Sequence, residues 1–110
     1  MKVSELAEKT GLSSLNDCGK DKQIEGVYIS DMVSDIITGA MANGILVTLQ
    51  THKSLIAAAN LVDVAAVVFV RGKKPADDVI QLAQKAGIGL FITSMDTWTF
   101  AKKLIGVGIQ

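Results

Sequence analysis

The chain contains few of the side chains from which catalytic and metal-binding sites are usually built. Its 110 residues include a single cysteine, Cys18, a single histidine, His52, and a single proline, and aromatic residues make up only 5%. One cysteine can form no disulfide bond within the chain, and with one histidine it completes a four-ligand zinc site only if two carboxylates join. We therefore expect no metal ion, no other cofactor and no enzymatic activity, and we expect an aliphatic core.

The charges balance, which excludes two classes of partner. The sequence has 11 Lys+Arg and 11 Asp+Glu, a formal net charge of zero. Nucleic-acid binding and polybasic membrane anchoring both need a basic surplus. The N-terminus lacks an apolar signal-peptide core, and the most apolar stretch, residues 55–70, is interrupted by Asn60 and Asp63 and is shorter than the roughly 20 residues of a spanning helix. The sequence predicts a cytoplasmic protein that binds neither nucleic acid nor membrane.

Apolar runs alternate with amphipathic segments along the chain. Runs at residues 26–30, 45–49, 65–70 and 88–92 are typical of strands, and three of them are apolar on both faces. Helical spacing of apolar residues follows each run, and a first short helix around residues 3–7 ends at Gly11, before a brief strand near Leu15. This order predicts a single α/β domain over residues 1–110, with three layers: a mostly parallel sheet and helices on both faces.

The ends of the predicted helices carry specific signals. Ser30 or Asp31 is a candidate cap for the second helix, and Ser94 or Asp96 for the last one. Pro75 is expected at the first position of the fourth helix, and Gly87 is expected to end it.

Polar residues follow each predicted strand. In a parallel sheet the carboxyl ends of the strands share one edge, where ligands bind. We call this edge the rim, and the sequence predicts that it is formed by Gln50, Thr51, His52, Arg71, Gly72, Thr93, Ser94 and Asp31. The amide groups at the start of the helix after His52 favour an anion, and Arg71 offers a guanidinium for phosphate or carboxylate.

Each rim residue also has a purely structural interpretation. His52 and Asp31 could cap helices, Arg71 could be a solvated turn residue, and Thr93 and Ser94 could simply begin a helix. Asp31 with Asp35 could also hold a cation. Trp98 is interpreted as an anchor in the core or at a subunit interface.

Known catalytic motifs are missing from the sequence. Gly39 and Gly44 have the spacing of a phosphate-binding P-loop, but the lysine and hydroxyl residue that should follow are absent. A small enzyme would have to act through His52, and Asp31 is the one candidate for its second catalytic group. DNA binding through residues 3–12 is disfavoured because no basic recognition helix follows.

Several of these segments, in this order, resemble the DRTGG domain, a regulatory module related to the N-terminal domain of HPr kinase/phosphorylase. They are residues 26–35, 45–52, 66–70 and 87–93, with Asp96 and Thr97 after them. The opening residues 3–6 and Leu15-Asn16 also look like the start of the HPr kinase N-terminal domain. The resemblance implies a fold akin to the N-terminal nucleotide-binding domain of Mur ligases, and a regulatory or dimerising role, usually in fusion with catalytic or CBS domains.

The sequence departs from the residues that give the family its name. Gln50, Thr51 and His52 stand where an Asp-Arg pair is expected, and Val70-Arg71-Gly72 stands where Thr-Gly-Gly is expected. HPr kinase chemistry belongs to a separate P-loop domain, so the resemblance implies no kinase activity here.

Two functions remain in competition. The first is a non-catalytic sensor that binds a small anionic ligand, nucleotide- or phosphate-like, at the rim and dimerises, with a signalling protein as a further possible partner. The second is a purely structural dimerisation module without a ligand. The homodimer is predicted because residues 55–61 form a helix that is apolar on all sides, and one sheet cannot cover it completely. Alternatively, the first helix covers that exposed side.

Overall fold

A computed structural model describes residues 1–109 and contains ten regular elements. The helices are α1 (Val3–Thr10), α2 (Val33–Gly39), α3 (Lys53–Leu61), α4 (Asp77–Ala86) and α5 (Thr97–Gly106). The strands are β1 (Ser13–Ser14), β2 (Gly26–Ile29), β3 (Gly44–Thr48), β4 (Ala66–Phe69) and β5 (Gly89–Ile92). Within the described residues, no helix combines the length and the apolarity that crossing a bilayer requires.

The strands form one sheet in the order β1-β5-β4-β3-β2. Strands β2 to β5 are parallel and lie side by side in sequence order, and only the short β1 is antiparallel, against β5. The register aligns Val47 with Val68 and Val68 with Phe91. The predicted mostly parallel sheet is confirmed.

The strand order decides on which face each helix lies. A connection between parallel strands is almost always right-handed, so connections that all step in one direction place their helices on one face. Accordingly, α2, α3 and α4 pack together on the side of Leu46, Val67 and Phe69. On the other side, α1 and α5 cover the alternate strand residues, with Phe100 and Leu104 fully or almost fully buried. The predicted three layers are confirmed.

The apolar helix α3 is covered within the chain. Leu55, Ile56, Ala58 and Ala59 are buried because α2 and α4 flank α3 while the sheet lies beneath it. The expectation that α1 covers this helix is wrong, since α1 packs on the opposite face of the sheet. Among its large apolar side chains, Leu61 stays exposed.

Most predicted helix ends are confirmed. Gly11 and Gly87 end α1 and α4 in the left-handed conformation, and the carboxylate of Asp96 accepts a hydrogen bond from the Thr99 amide at the start of α5. The prediction for Pro75 is wrong, because α4 begins at Asp77 with Ala76 as its N-terminal cap residue. Pro75 is buried just before that cap, where its fixed φ stiffens the entry to the helix.

The long connection between β1 and β2 is fastened to the strand β5. The side chain of Asn16 donates to the Ile88 carbonyl at 2.9 Å and accepts from the Leu90 amide at 2.9 Å, as a neighbouring strand would. Gly19 follows with φ +69°, and a Cβ atom there would lie 3.0 Å from the Gly87 carbonyl oxygen. The loop therefore approaches β5 too closely for a side chain at Gly19.

We predict that Gly19→Ala destabilises the protein more than Gly11→Ala. Both glycines have left-handed backbones, so each substitution costs about 1–2 kcal/mol. Only at Gly19 does the new Cβ also meet backbone atoms, since nothing lies within 4 Å of the corresponding position at Gly11. Urea denaturation, monitored by circular dichroism, should give the lower midpoint for Gly19→Ala. Equal midpoints for the two variants would contradict this close approach.

Candidate functional site

The four polar segments predicted for the rim lie along one edge of the sheet. Hydrogen bonds between main chains continue past the ends of the strands, from the Ser30 amide to the Val47 carbonyl and from the Val70 amide to the Thr48 carbonyl. The Thr93 amide likewise donates to Phe69. All four segments are therefore fixed at the carboxyl edge of the sheet. Hydrogen bonds divide the rim into two halves, one at the ends of β2 and β3 and the other at the ends of β4 and β5.

In the first half, Asp31 joins β2 to β3. Its carboxylate accepts from the Thr48 hydroxyl at 3.0 Å and from the Leu49 amide at 2.6 Å. The prediction that Ser30 or Asp31 caps the second helix is wrong, because Met32 is the cap residue of α2, with no capping bond from its side chain. The carboxylate instead satisfies groups at the end of β3, where the ladder to β2 has stopped.

His52 caps α3. Its Nδ1 accepts from the Ser54 amide at 3.2 Å, and the His52 amide donates in turn to the side-chain oxygen of Gln50 at 3.0 Å. A nitrogen that accepts carries no proton, so in the neutral ring Nε2 carries it and is a donor. His52 is exposed, and Thr51 between these two residues is half-buried. The capping interpretation is confirmed, and it leaves the outer nitrogen able to donate to an anion.

In the second half, Arg71 and Gly72 contact the loop after β5. Both residues have left-handed backbones, with φ of 57° and 65°. The Arg71 amide donates to the Met95 carbonyl at 2.8 Å, and the Gly72 amide donates to the Thr93 carbonyl at 2.8 Å. Thr93 is buried and its hydroxyl accepts from the Met95 amide, whereas Arg71 and Ser94 are exposed. The amides of Arg71 and Gly72 are therefore hydrogen-bonded within the chain, and the side chain of Arg71 is exposed to solvent.

One ion pair close to the rim was not expected from the sequence. Lys53, the first residue of α3, pairs with Asp78 in the first turn of α4 at 3.7 Å. Asp77 and Asp78 bring negative charge to the start of α4, which repels an anion there. The start of α3 carries no acidic residue in its first turn and is the more favourable of the two for an anion. Lys53 follows His52 directly in the sequence, and this position was the signal that a cationic side chain lies beside the rim.

The carboxylate of Asp35 accepts a hydrogen bond from a side chain of the same helix-strand unit, Tyr28 of β2. The Tyr28 hydroxyl donates to its carboxylate at 2.9 Å. Hydrogen bonds from Ser30 and from Tyr28 lower the pKa of Asp35, and the same bond to Asp35 raises the pKa of Tyr28. The carboxylates of Asp31 and Asp35 therefore have separate partners, and the interpretation that the two hold a cation has no support from the described residues.

Cys18 lies in a half-buried position on the loop that follows β1. Its thiol donates to the Ile88 carbonyl at 3.3 Å. Burial raises the pKa of Cys18, an effect that nearby Lys22 opposes. A thiol with a raised pKa forms little of the reactive thiolate at neutral pH.

The described residues also form clefts away from the rim. One of about 340 Å³ is at the opposite edge of the sheet, between the ends of α3 and α4, where Lys22, Asn43 and Asp63 line it. Asn43 and Asp63 both have left-handed backbones there, and the Asn43 amide donates to the Asp63 carbonyl at 2.8 Å. This cleft was not predicted from the sequence, although Asn43-Gly44 and Asp63 are typical turn residues after helices.

We predict that Asp96 makes the stability of the domain depend on pH. Hydrogen bonds from Thr99, with smaller contributions from Lys102 and Arg71, lower the pKa of Asp96 in the folded state. This contribution is present above the ordinary pKa of aspartate, about 3.9, and is lost as the pH falls through the lower folded pKa. The melting temperature of the wild type should therefore fall more between pH 5 and pH 3 than that of Asp96→Asn, which caps without a charge.

A matched control separates this effect from general acid unfolding. Asp21 is exposed, and residues 1–109 supply no hydrogen bond to its carboxylate. Asp21→Asn should follow the acid profile of the wild type. If Asp96→Asn follows it as well, the cap does not contribute to the pH dependence.

The comparisons with solved structures agree on the fold. The regulatory region of a pyrophosphatase from Clostridium perfringens, which comprises CBS and DRTGG domains and was crystallised with its activator diadenosine tetraphosphate, is similar with a TM-score of 0.73. The match has 14% sequence identity and covers 94% of this chain and 46% of the other. This chain therefore spans about half the length of that region, and at this identity the likeness shows the fold alone.

The family comparison covers nearly the whole chain. No curated protein matches the sequence. The model of the DRTGG domain matches residues 5–107. This range includes every element from β1 to α5 and the whole rim. The chain belongs to the DRTGG domain family.

Proposed function

We propose that this chain is a non-catalytic regulatory domain that binds a small anionic ligand at the rim and forms a homodimer. Family membership supports the regulatory role, because the DRTGG domain of the similar Clostridium perfringens structure belongs to a regulatory region. That region was crystallised with a nucleotide activator, which motivates a nucleotide- or phosphate-like ligand here. The chemistry of the rim residues supports the same class.

The ligand proposal rests on the backbone conformation and the exposed side chain of Arg71. It is one of three non-glycine residues among residues 1–109 with a left-handed backbone, and its amide donates to the Met95 carbonyl. Within residues 1–109 its exposed guanidinium forms no salt bridge. Strained backbone conformations cluster at functional sites, and an arginine guanidinium is suited to bidentate hydrogen bonds with phosphate or carboxylate. Arg71 is the residue we expect to contact the anionic group.

His52 supplies a second donor of a suitable kind. Because its Nδ1 accepts a hydrogen bond from the Ser54 amide, its Nε2 can donate a hydrogen bond to an oxygen of the ligand. The positive end of the α3 dipole adds partial positive charge beside it. Gln50, Thr51, Gly72, Thr93, Ser94 and Asp31 complete the proposed site, with Asp31 holding the two strand ends together rather than contacting the anion.

We predict that Arg71→Ala and His52→Asn weaken ligand binding without unfolding the domain. Each loses a hydrogen bond to an anion, worth roughly 1–3 kcal/mol, or about five- to 150-fold in affinity. Asparagine is chosen at position 52 because it retains the cap. Isothermal titration with ATP, AMP, diadenosine tetraphosphate and inorganic phosphate measures the affinity, and thermal unfolding checks the fold.

Lys85→Ala is the matched control for this experiment. Lys85 is exposed in the last turn of α4, near the opposite edge of the sheet, so its removal changes the net charge by the same amount as Arg71→Ala without touching the rim. Its affinity should equal that of the wild type. Loss of binding in all three variants alike would show a nonspecific charge effect, and no binding of any of these compounds at millimolar concentration would favour the structural module without a ligand.

A separate observation supports the homodimer. Strand β2 is an edge of the sheet, and large apolar side chains remain exposed beside it. They are Ile29, Met32, Ile37 and Met41, which extend from the last residue of β2 to the loop after α2. We call these four residues the β2 edge surface. Apolar surface at a free sheet edge is commonly covered by symmetric pairing with a second copy.

We predict that light scattering gives twice the chain mass for the wild type at micromolar concentration. Met32→Glu with Ile37→Glu should give the mass of a single chain, because it places charges in the proposed interface. Leu82→Glu, on the exposed side of α4, is the control and should stay dimeric. A wild type with the mass of one chain would overturn the homodimer, and dissociation of the control would move the interface elsewhere.

A further inference from the structure

Helix α5 exposes the only tryptophan of the chain. The side chains of Trp98 and Ile105 are each 69% exposed, the largest values among the big apolar residues. The Lys102 ammonium lies 5.8 Å from the centre of the Trp98 ring, over its face. Positions 98, 102 and 105 are spaced by four and three residues, so they share one side of the helix. The interpretation of Trp98 as a core anchor is therefore wrong.

A shallow, open depression lined by lysines lies beside this side of α5. It has a volume of about 570 Å³ and is lined by Lys9 of α1 and by Lys102, Lys103 and neighbouring residues of α5. Within residues 1–109 the salt bridges are Lys20–Asp17 and Lys53–Asp78, so none of these three ammonium groups forms a salt bridge. Asp96, the nearest acid in sequence to Lys102, is bonded to the Thr99 amide. We call Trp98, Ile105, Lys9, Lys102 and Lys103 the α5 surface.

The chemistry of this surface argues against three occupants. A second copy paired symmetrically would bring the lysines of both surfaces together, and like charges repel. A membrane needs a wide apolar helix face, but the main apolar residues of α5, Phe100 and Leu104, are buried in the core. A nucleic acid needs a basic surplus, and the chain has none.

We propose that the α5 surface docks an acidic amphipathic segment of another protein. Carboxylates of that segment pair with Lys9, Lys102 and Lys103, and its apolar side chains cover Trp98 and Ile105. A helix laid in a groove is a common mode of recognition, and tryptophan with flanking cations is the composition of an interface centre. This proposal does not depend on ligand binding at the rim, because none of its residues belongs to the rim.

The single tryptophan provides the measurement. Covering its ring shifts the Trp98 emission to shorter wavelength, so fluorescence titration reports occupancy of the α5 surface directly. The probe is a synthetic helical peptide with glutamate on one face and leucine on the other, and a peptide with lysine in place of each glutamate is its counterpart. We expect a saturable blue shift with the acidic peptide alone, weakened at high salt.

Variants locate the binding site. Lys9→Glu with Lys102→Glu and Lys103→Glu should weaken binding at least tenfold, and Ile105→Ser should weaken it while keeping the fluorophore. Lys73→Glu with Lys74→Glu and Lys85→Glu makes the same change of charge elsewhere and should bind as the wild type does. Arg71→Ala should also bind the peptide normally, which separates this proposal from the one for the rim.

Four results would overturn the proposal. They are no blue shift at millimolar peptide, an equal shift with the lysine peptide, an equal loss of affinity in the charge-matched control, and a shift that anionic lipid vesicles produce at least as strongly as the acidic peptide. A blue shift that appears on raising the protein concentration without peptide would assign the surface to a second copy instead.

Discussion

The one-way order of the four parallel strands determines the rest of the architecture. Because each connection steps to the next strand in the same direction, the helices α2, α3 and α4 are forced onto one face of the sheet. The other face of β3, β4 and β5 is equally apolar and would be wet without α1 and α5. Those two helices come from the ends of the described chain. The core is therefore complete only when both terminal helices are docked.

The same order shapes the rim. In doubly wound folds the ligand lies in a crevice where the strand order reverses, since neighbouring connections diverge there. The parallel strands of this chain show no such reversal. The rim is instead built by loops that bond to one another, with Asp31 bridging β2 and β3 and with Arg71 and Gly72 bonded to the loop after β5. A ligand there would meet side chains and helix starts rather than a deep pocket.

The sequence predicted what depends on local periodicity and direction. Apolar runs covered on both faces identified β3, β4 and β5, and a parallel sheet then placed all four polar segments at one edge. What failed depended on partners distant in sequence. Asp31 looks like a helix cap, yet it bonds to Thr48 and Leu49. Helix α3 looks apolar on all sides, yet α2 and α4 cover it, and no local pattern reveals which helices will be its neighbours.

The proposed rim and the α5 surface meet at one short loop. Thr93 and Met95 accept the amides of Gly72 and Arg71, and Asp96, one residue further, caps the helix that carries Trp98. Two sites are coupled when both ligands shift the position of the same structural element. These bonds are the direct path from Arg71 to the start of α5. If an anion at the rim displaced the Arg71 main chain, these three hydrogen bonds would carry the displacement to the start of α5.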